Sequence, residues 1–549
     1  MNSSNQSSLQ LIKQLIILEK EDVITLIAYG LGIGLMSLAT PIAVQTLVST
    51  VAFGALFQPL IVLSLILLVL VGFSNALSAL QFYVMDILQR RLFVRILGET
   101  ASRLQKAHIE NSDHHHLPEL VNRFLDVVNL NKSAATILLE TLGYVLQTFI
   151  GMILLAFYHP LLLAFDFFLL IFVSIILFGL GKNGIKTAIA QSKAKYEVLA
   201  WLENIAATQI INKSAMAQTF LERKTEQVSQ NYLNACDKHF TILARQNTGG
   251  LVLHTVANTL LLGMGGWMVI ERQLSLGQLI AAELIVSNMM YGLTRLGKTL
   301  SSFYALIVSG DKLEHLLHIP LETVQGHLVE SEKNPYQIEI NNVFLPKSPN
   351  LDVLQGFSLR LSAGEKRVLI GDVERGSVLD MLFGLRLPSS GYVRIESHDL
   401  RDLNLHTLRD SVCLVRDAEI LEGSVLDNLR FNREIELSQI WDSLEKVGLR
   451  ETVAALSQGL NHVLSANGAP LTPEQCLRLS LARAIVAKPR LLLLDGTLDK
   501  IDARVLPTLL DDLFDEKAPW TLLITSQDPE IIAHCKQPIR IKNGVLVES

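Results

Sequence analysis

The sequence predicts a chain in two parts: an all-α membrane domain of six spanning helices, then a C-terminal α/β domain built on a buried, largely parallel sheet. Three observations predict it. Long apolar runs crowd the first three hundred or so residues. Positive charge collects in two of the linkers between those runs. After residue 336, short β-rich runs alternate with helical segments. The chain has 549 residues, half of them hydrophobic, and a mean hydropathy of +0.36. That length exceeds what one core usually serves.

The apolar runs are 24–53, 59–84, 133–158, 160–181, 249–270 and 276–293. Each is about long enough to cross a bilayer, which takes roughly 20 residues of helix. Six such runs in one chain argue against buried helices of a large soluble protein. Arg90, Arg91, Arg95, Arg103 and Lys106 lie between spans 2 and 3, and Lys182, Lys186, Lys193, Lys195, Lys213, Arg223 and Lys224 between spans 4 and 5. The short links after spans 1 and 3 have no Lys or Arg, and the link after span 5 has one, Arg272. The positive-inside rule therefore puts the long linkers and both termini in the cytoplasm. The expected location is a bacterial-type inner (plasma) membrane, crossed several times.

Residues 1–21 form an amphipathic N-terminal segment with no signal-peptide pattern. Leu9 to Leu18, with Lys13 and Lys20, suits a helix lying along the inner membrane surface. The membrane domain is placed at 22–319. Its linkers 85–107 and 182–245 keep helical spacing, so the spanning helices should continue into the cytoplasm, about 30 Å for every 20 residues. Breaks fall at Asn111–Pro118 and near Asn204–Lys213, and these tips are the expected docking points for a soluble domain. His114, His115 and His116 are read as solvated. Asp166 in span 4 and Glu283 in span 6 are costly at membrane depth and are candidates for lining a pathway, Glu283 the better one. Gly263, Gly265 and Gly266 suit close helix packing. Residues 320–336 are polar and acidic, read as a linker, and 337–549 as the soluble domain. Its expected strands are Gln337–Phe344, Arg367–Ile370, Val412–Val415, Leu491–Leu494 and Thr521–Thr525.

Cys236, Cys413, Cys476 and Cys535 have neither metal-ligand nor redox spacing. A net charge of −6 gives no reason to expect nucleic acid.

This plan resembles the ABC exporters over nearly the whole chain. In the membrane half, Leu38-Ala39-Thr40-Pro41, Gln89-Arg90-Arg91-Leu92-Phe93 and Leu274-Ser275-Leu276-Gly277-Gln278 are similar to the branch near type I secretion exporters. No N-terminal peptidase domain is expected. The resemblance implies a P-loop-type nucleotide-binding domain, dimerisation with itself or with another half-transporter, and a periplasmic adaptor.

The family's ATP-site motifs can be placed by spacing, with changed residues. Its phosphate loop wraps phosphates with glycine N–H groups, a lysine and a hydroxyl that holds Mg²⁺. Here Gly371 and Gly376 remain, Glu374 replaces a glycine, Ser377 the lysine and Val378 the hydroxyl. The strand Leu491–Leu494 ends in Asp495, a vestigial Mg²⁺ position, and Gly496 replaces the water-polarising glutamate. The signature loop is Leu471-Thr472-Pro473-Glu474-Gln475. Thr472 and Gln475 keep polar function, Pro473 removes a donor, and Glu474 adds an acid expected to face a phosphate. Arg416 stands at the glutamine-loop position, or Asp417 if the register slips by one. Gln527 replaces the switch histidine, and Lys347 stands near the adenine-stacking position.

The expectation is therefore a degenerate nucleotide-binding domain, a pseudo-ATPase on its own. No cofactor is expected on this chain alone, with ATP and Mg²⁺ bound only if shared with a competent partner. The leading functional reading is the degenerate half of a heterodimeric exporter. A homodimeric scaffold, channel or regulatory protein and an ion-coupled transporter on the same scaffold stand beside it.

Overall fold

The structure, a computed structural model, describes residues 3–52, 57–108, 121–322, 326–328, 334–348, 351–371, 375–535 and 537–547. The chain forms two compact units, one chiefly of residues up to Pro320 and the other from Leu321 onward.

The first unit is helical, as lipid demands: hydrocarbon offers backbone N–H and C=O groups no partner, and a helix satisfies them internally. Among the described residues, six helical stretches are long and apolar enough to cross a membrane: Lys20–Thr50, Phe57–Gln105, Arg123–Tyr158, Pro160–Leu180, Ala215–Ile270 and Leu276–Thr294. Two run well beyond a bilayer. Phe57–Gln105 has 49 residues and Ala215–Ile270 has 56, about 70 and 80 Å at the α-helical rise. Outward-facing Leu65, Leu68, Phe149 and Phe178 are exposed, and Leu155, Leu162, Leu261, Met268 and Ile285 are buried between helices.

The second expected break is present: helix Gly184–Ala207 ends, and Ser214 opens the next helix by accepting a hydrogen bond from the Ala217 N–H. The first break and the three adjacent histidines lie outside the described residues. Of the three glycines read as packing positions, Gly265 alone fits. A Cβ there would come within 2.4 Å of Leu279, whereas Gly263 and Gly266 face open space.

The N-terminal helix Ser3–Leu18 corrects the surface-helix expectation in part. Leu11 is buried with Ile96, Val127, Leu313 and Leu316, so one face packs on the bundle; Ile16, Ile17 and Leu18 remain exposed. Just after it, Glu19 is pinned by Arg91 at 3.1 Å and Arg95 at 2.6 Å. Arg91 and Arg95 thus tie helix Phe57–Gln105 to the chain entry.

Asp166 is 2 % exposed and lies on the same buried stripe as Leu162, Phe165 and Leu169; neither carboxylate oxygen makes a hydrogen bond among the described residues. Glu283 is exposed, with the Ser287 hydroxyl donating to it at 3.5 Å.

The second unit has strands β1 (Ile338–Ser348), β2 (Leu351–Leu361), β3 (Lys366–Gly371), β4 (Ser390–Ile395), β5 (His398–Asp399), β6 (Val412–Val415), β7 (Gly423–Ser424), β8 (Val463–Leu464), β9 (Leu491–Asp495), β10 (Thr521–Thr525), β11 (Ile539–Lys542) and β12 (Val545–Val547). The main sheet runs β12-β11-β3-β10-β9-β6, parallel except for β12. Leu491–Leu494 and Leu522–Ile524 are fully buried, as strands covered on both faces must be. A smaller antiparallel sheet runs β2-β1-β4-β5. The segment read as a linker is anchored to this unit. Glu322 pairs with Arg409 at 2.5 Å, and His327 bridges to Leu403.

Candidate functional site

Parallel strands deliver their carboxyl ends to one edge of the sheet, where α/β folds gather ligand-binding residues. Here β3 ends at Gly371, β6 leads into Arg416, β9 ends at Asp495 and β10 at Thr525. In-register pairing puts Thr525 beside Asp495. Gly371 is required by close approach: a Cβ there would sit 2.4 Å from the Ile541 carbonyl oxygen.

Helix Arg375–Leu382 follows the phosphate loop. Glu374 lies outside the described residues. Gly376 brings the helix start against Asp495, since a Cβ there would lie 2.8 Å from Asp495 Oδ2. Ser377 is half-buried, and Val378 is fully buried in the apolar core. One guanidinium nitrogen of Arg375, Nη1, is buried and makes no hydrogen bond among the described residues. A buried donor without an acceptor is rare and unfavourable, and an anionic oxygen would satisfy it.

Arg416 organises the centre. Its Nε donates to Asp495 Oδ2 at 2.5 Å and its Nη2 to Asp380 Oδ1 at 2.5 Å. The second Asp495 oxygen accepts from the Thr525 hydroxyl at 2.6 Å. Asp380 has a further cation, Arg386, at 3.6 Å. Burial pulls the Arg416 guanidinium down, but the two carboxylates outweigh it and raise it above the ordinary arginine value. Asp417, the residue of the alternative register, pairs with Lys500 Nζ at 2.7 Å.

The expected Mg²⁺ residues do not fit a divalent cation. Asp495 has one oxygen on a guanidinium and the other on a hydroxyl, Val378 offers no oxygen, and Gly496 offers no side chain. Gly496 also has φ +60°, with its N–H donating to Thr525 Oγ1 at 2.9 Å. Glutamate at that backbone angle would be strained. Gln527, at the switch position, donates to the Gly371 carbonyl at 3.3 Å. The side chain of Lys347 lies outside the described residues.

The signature segment is built differently. Helix Pro473–Val486 starts with a full capping box: Thr472 Oγ1 accepts from the Gln475 N–H at 3.2 Å, and Gln475 Oε1 accepts from the Thr472 N–H at 2.9 Å. Pro473 takes the first helical position, where its missing N–H matters least. Leu471 is buried. Glu474 corrects the expectation that it faces a phosphate. It is half-buried and paired within its own chain, with Oε1 2.8 Å from Arg478 and accepting from the Asp502 N–H at 3.2 Å. The i,i+4 spacing of Glu474 and Arg478 makes that pair local.

Sequence reasoning passed over Asp380, Arg386, Thr525 and Arg478. The signal for Asp380 was an acid one helical turn after the phosphate-loop glycine, facing a strand end that carries an arginine.

Residues 23–293 match the family model of the ABC transporter transmembrane region, and residues 354–498 match that of the ABC transporter. The chain is an ABC exporter. Its relatives include the α-hemolysin translocation ATP-binding protein HlyB of Proteus vulgaris, 23 % identical over 94 % of this chain and 73 % of the relative. The leukotoxin translocation ATP-binding protein LktB of Mannheimia haemolytica gives the same figures, 23 %, 94 % and 73 %. The fold also matches a bacterial Atm1-family ABC exporter with ATP bound, with a TM-score of 0.84 at 17 % identity, covering 96 % of this chain and 94 % of that one.

These matches overturn the expectation that the exporter is no enzyme. The soluble unit matches the ABC transporter model, and the similar full-length proteins are ATP-binding translocation proteins, from a family of ATPases that functions as dimers.

Proposed function

We propose that this chain is one half of a heterodimeric, ATP-driven exporter whose two nucleotide sites work unequally. The observation that carries the reading is the contrast within the soluble unit. The signature helix keeps a complete Thr472–Gln475 capping box, while the phosphate-loop side has an arginine salt-bridged into its acidic strand. A partner with a lysine-bearing phosphate loop would use this chain's signature helix to close the faster site. The site on this chain's own phosphate loop would bind nucleotide and turn over more slowly, because Gly496 provides no carboxylate to orient the attacking water.

The same reading has export across an inner membrane, with both termini cytoplasmic and a periplasmic adaptor as a further partner. The ion-coupled alternative has one observation in its favour, the buried Asp166 carboxylate with both oxygens unbonded among the described residues.

The test is to purify the chain from its native host without overexpression and identify what co-elutes. A second, different ABC half-transporter in equal amount, with ATPase activity that depends on both chains, is the expected result. A self-paired dimer that turns over ATP equally at two identical sites contradicts it.

A further inference from the structure

The family places a divalent cation between the acidic strand and the nucleotide, and the residues here do not fit one. What they hold is a guanidinium. Arg416 is gripped by Asp495 on β9 and Asp380 on the helix after the phosphate loop, at 2.5 Å each. With Arg386 at 3.6 Å from Asp380, two carboxylates here face two guanidiniums. Arg416 is partly exposed, and its remaining nitrogen, Nη1, makes no hydrogen bond among the described residues. At the first residue of that helix, Arg375 has a buried Nη1 with no acceptor among the described residues. The Arg375 nitrogen is a buried donor in want of an acceptor and the Arg416 nitrogen is open to solvent; guanidinium meets phosphate with paired, charge-assisted hydrogen bonds.

We propose that this site takes the phosphates of a nucleoside triphosphate on guanidinium groups, Arg416 standing in the place of the metal and Arg375 serving in place of the missing lysine, so that binding here needs no Mg²⁺. The inference rests on the reading that this chain's own phosphate loop binds nucleotide. A bound Mg²⁺ is an exchangeable charge. Arg416 is permanent, because Asp380 and Asp495 already hold it before nucleotide arrives. Metal would have to displace a doubly paired guanidinium to reach Asp495.

The test is photolabelling of the purified native dimer with 8-azido-ATP, read chain by chain, in Mg²⁺ or in EDTA. Labelling of this chain should stay within about twofold when EDTA replaces Mg²⁺. Arg416→Gln should lower labelling in EDTA about tenfold or more, the size expected for a lost charged hydrogen bond. Mg²⁺ should partly restore it by reaching the released Asp495. Arg416→Lys should keep labelling in EDTA, which separates charge from fold. Asp380→Asn should leave it equal or higher, and serves where Arg416→Gln fails to fold. Arg375→Gln should lower labelling in both media.

A tenfold loss for the unsubstituted chain in EDTA, an unchanged Arg416→Gln, or no label on this chain in either medium would overturn the proposal. The heterodimer reading fails by a different result, a self-paired dimer with two equal sites. It survives if transport needs this chain while its labelling proves Mg²⁺-dependent.

Discussion

The signature side and the phosphate-loop side of the same soluble unit differ in where their charge is spent. On the signature side, Glu474 is neutralised locally by Arg478, which also donates to the Val447 and Gly448 carbonyls at 3.1 and 3.0 Å. The N-terminus of helix Pro473–Val486 is left capped by neutral groups. On the phosphate-loop side, Asp380 and Asp495 come from two elements and converge on one arginine. The first arrangement keeps a helix end whose dipole favours an approaching anion. The second fills a metal position with a side chain. An added acid at a nucleotide site is therefore harmless or decisive according to what neutralises it.

The largest effect should come from removing the buried arginine of the signature side. Arg478→Ala leaves Glu474 without its cation and two carbonyls without a donor, and should destabilise the soluble unit by about 3 kcal/mol. Its calorimetric transition should move down by several degrees. A shift no larger than that of a surface control would show that Glu474 turns outward. On the other side, Arg416→Ala leaves Asp380 and Asp495 facing each other. Partial exposure of the arginine moderates the loss to about 1–2 kcal/mol. In a double-mutant cycle with Asp380→Asn the two effects should be non-additive, and additivity would break the cluster apart.

Thr472→Ala removes half the capping box and should lower stability by about 1 kcal/mol. Thr472→Ser should restore it, as read by the same transition.

The smallest effect is on pH. Arg401 holds the Asp399 carboxyl below its ordinary value of 3.8 through a side-chain hydrogen bond, against opposition from burial. A carboxyl depressed in the folded state contributes stability that is present above the ordinary value and lost as pH falls through the folded one. Asp399→Asn should therefore lower the melting temperature slightly at neutral pH and change little in acid below the folded value, which flattens the acid limb. An equal loss at both would contradict the assignment.

Much of this was legible in the sequence, and the legible parts share a cause. Spans, charge asymmetry and ordered landmarks depend on patterns within a few residues, and lipid enforces them strictly. The strand ending at Asp495 is of this kind. The direction of Glu474 was nearly legible, since Arg478 stands four residues on in the same helix. Arg416 was placed at its motif position, but its grip on Asp380 and Asp495 joins residues 36 and 79 positions away. Only the folded sheet brings those together. The packing of glycines was legible least. Gly263, Gly265 and Gly266 look alike in sequence, and only the face opposite Leu279 distinguishes the middle one.

The central claim is that the two sides of this chain contribute unequally to turnover, and steady-state ATPase activity of the native two-chain complex tests it. Replacing both Thr472 and Gln475 by alanine should lower activity at least about tenfold, the scale on which loss of preorganised donors acts. Ser377→Ala on the phosphate-loop side should change it less than about twofold on the same scale. A complex that tolerates the signature substitutions but is silenced by Ser377→Ala would contradict the account.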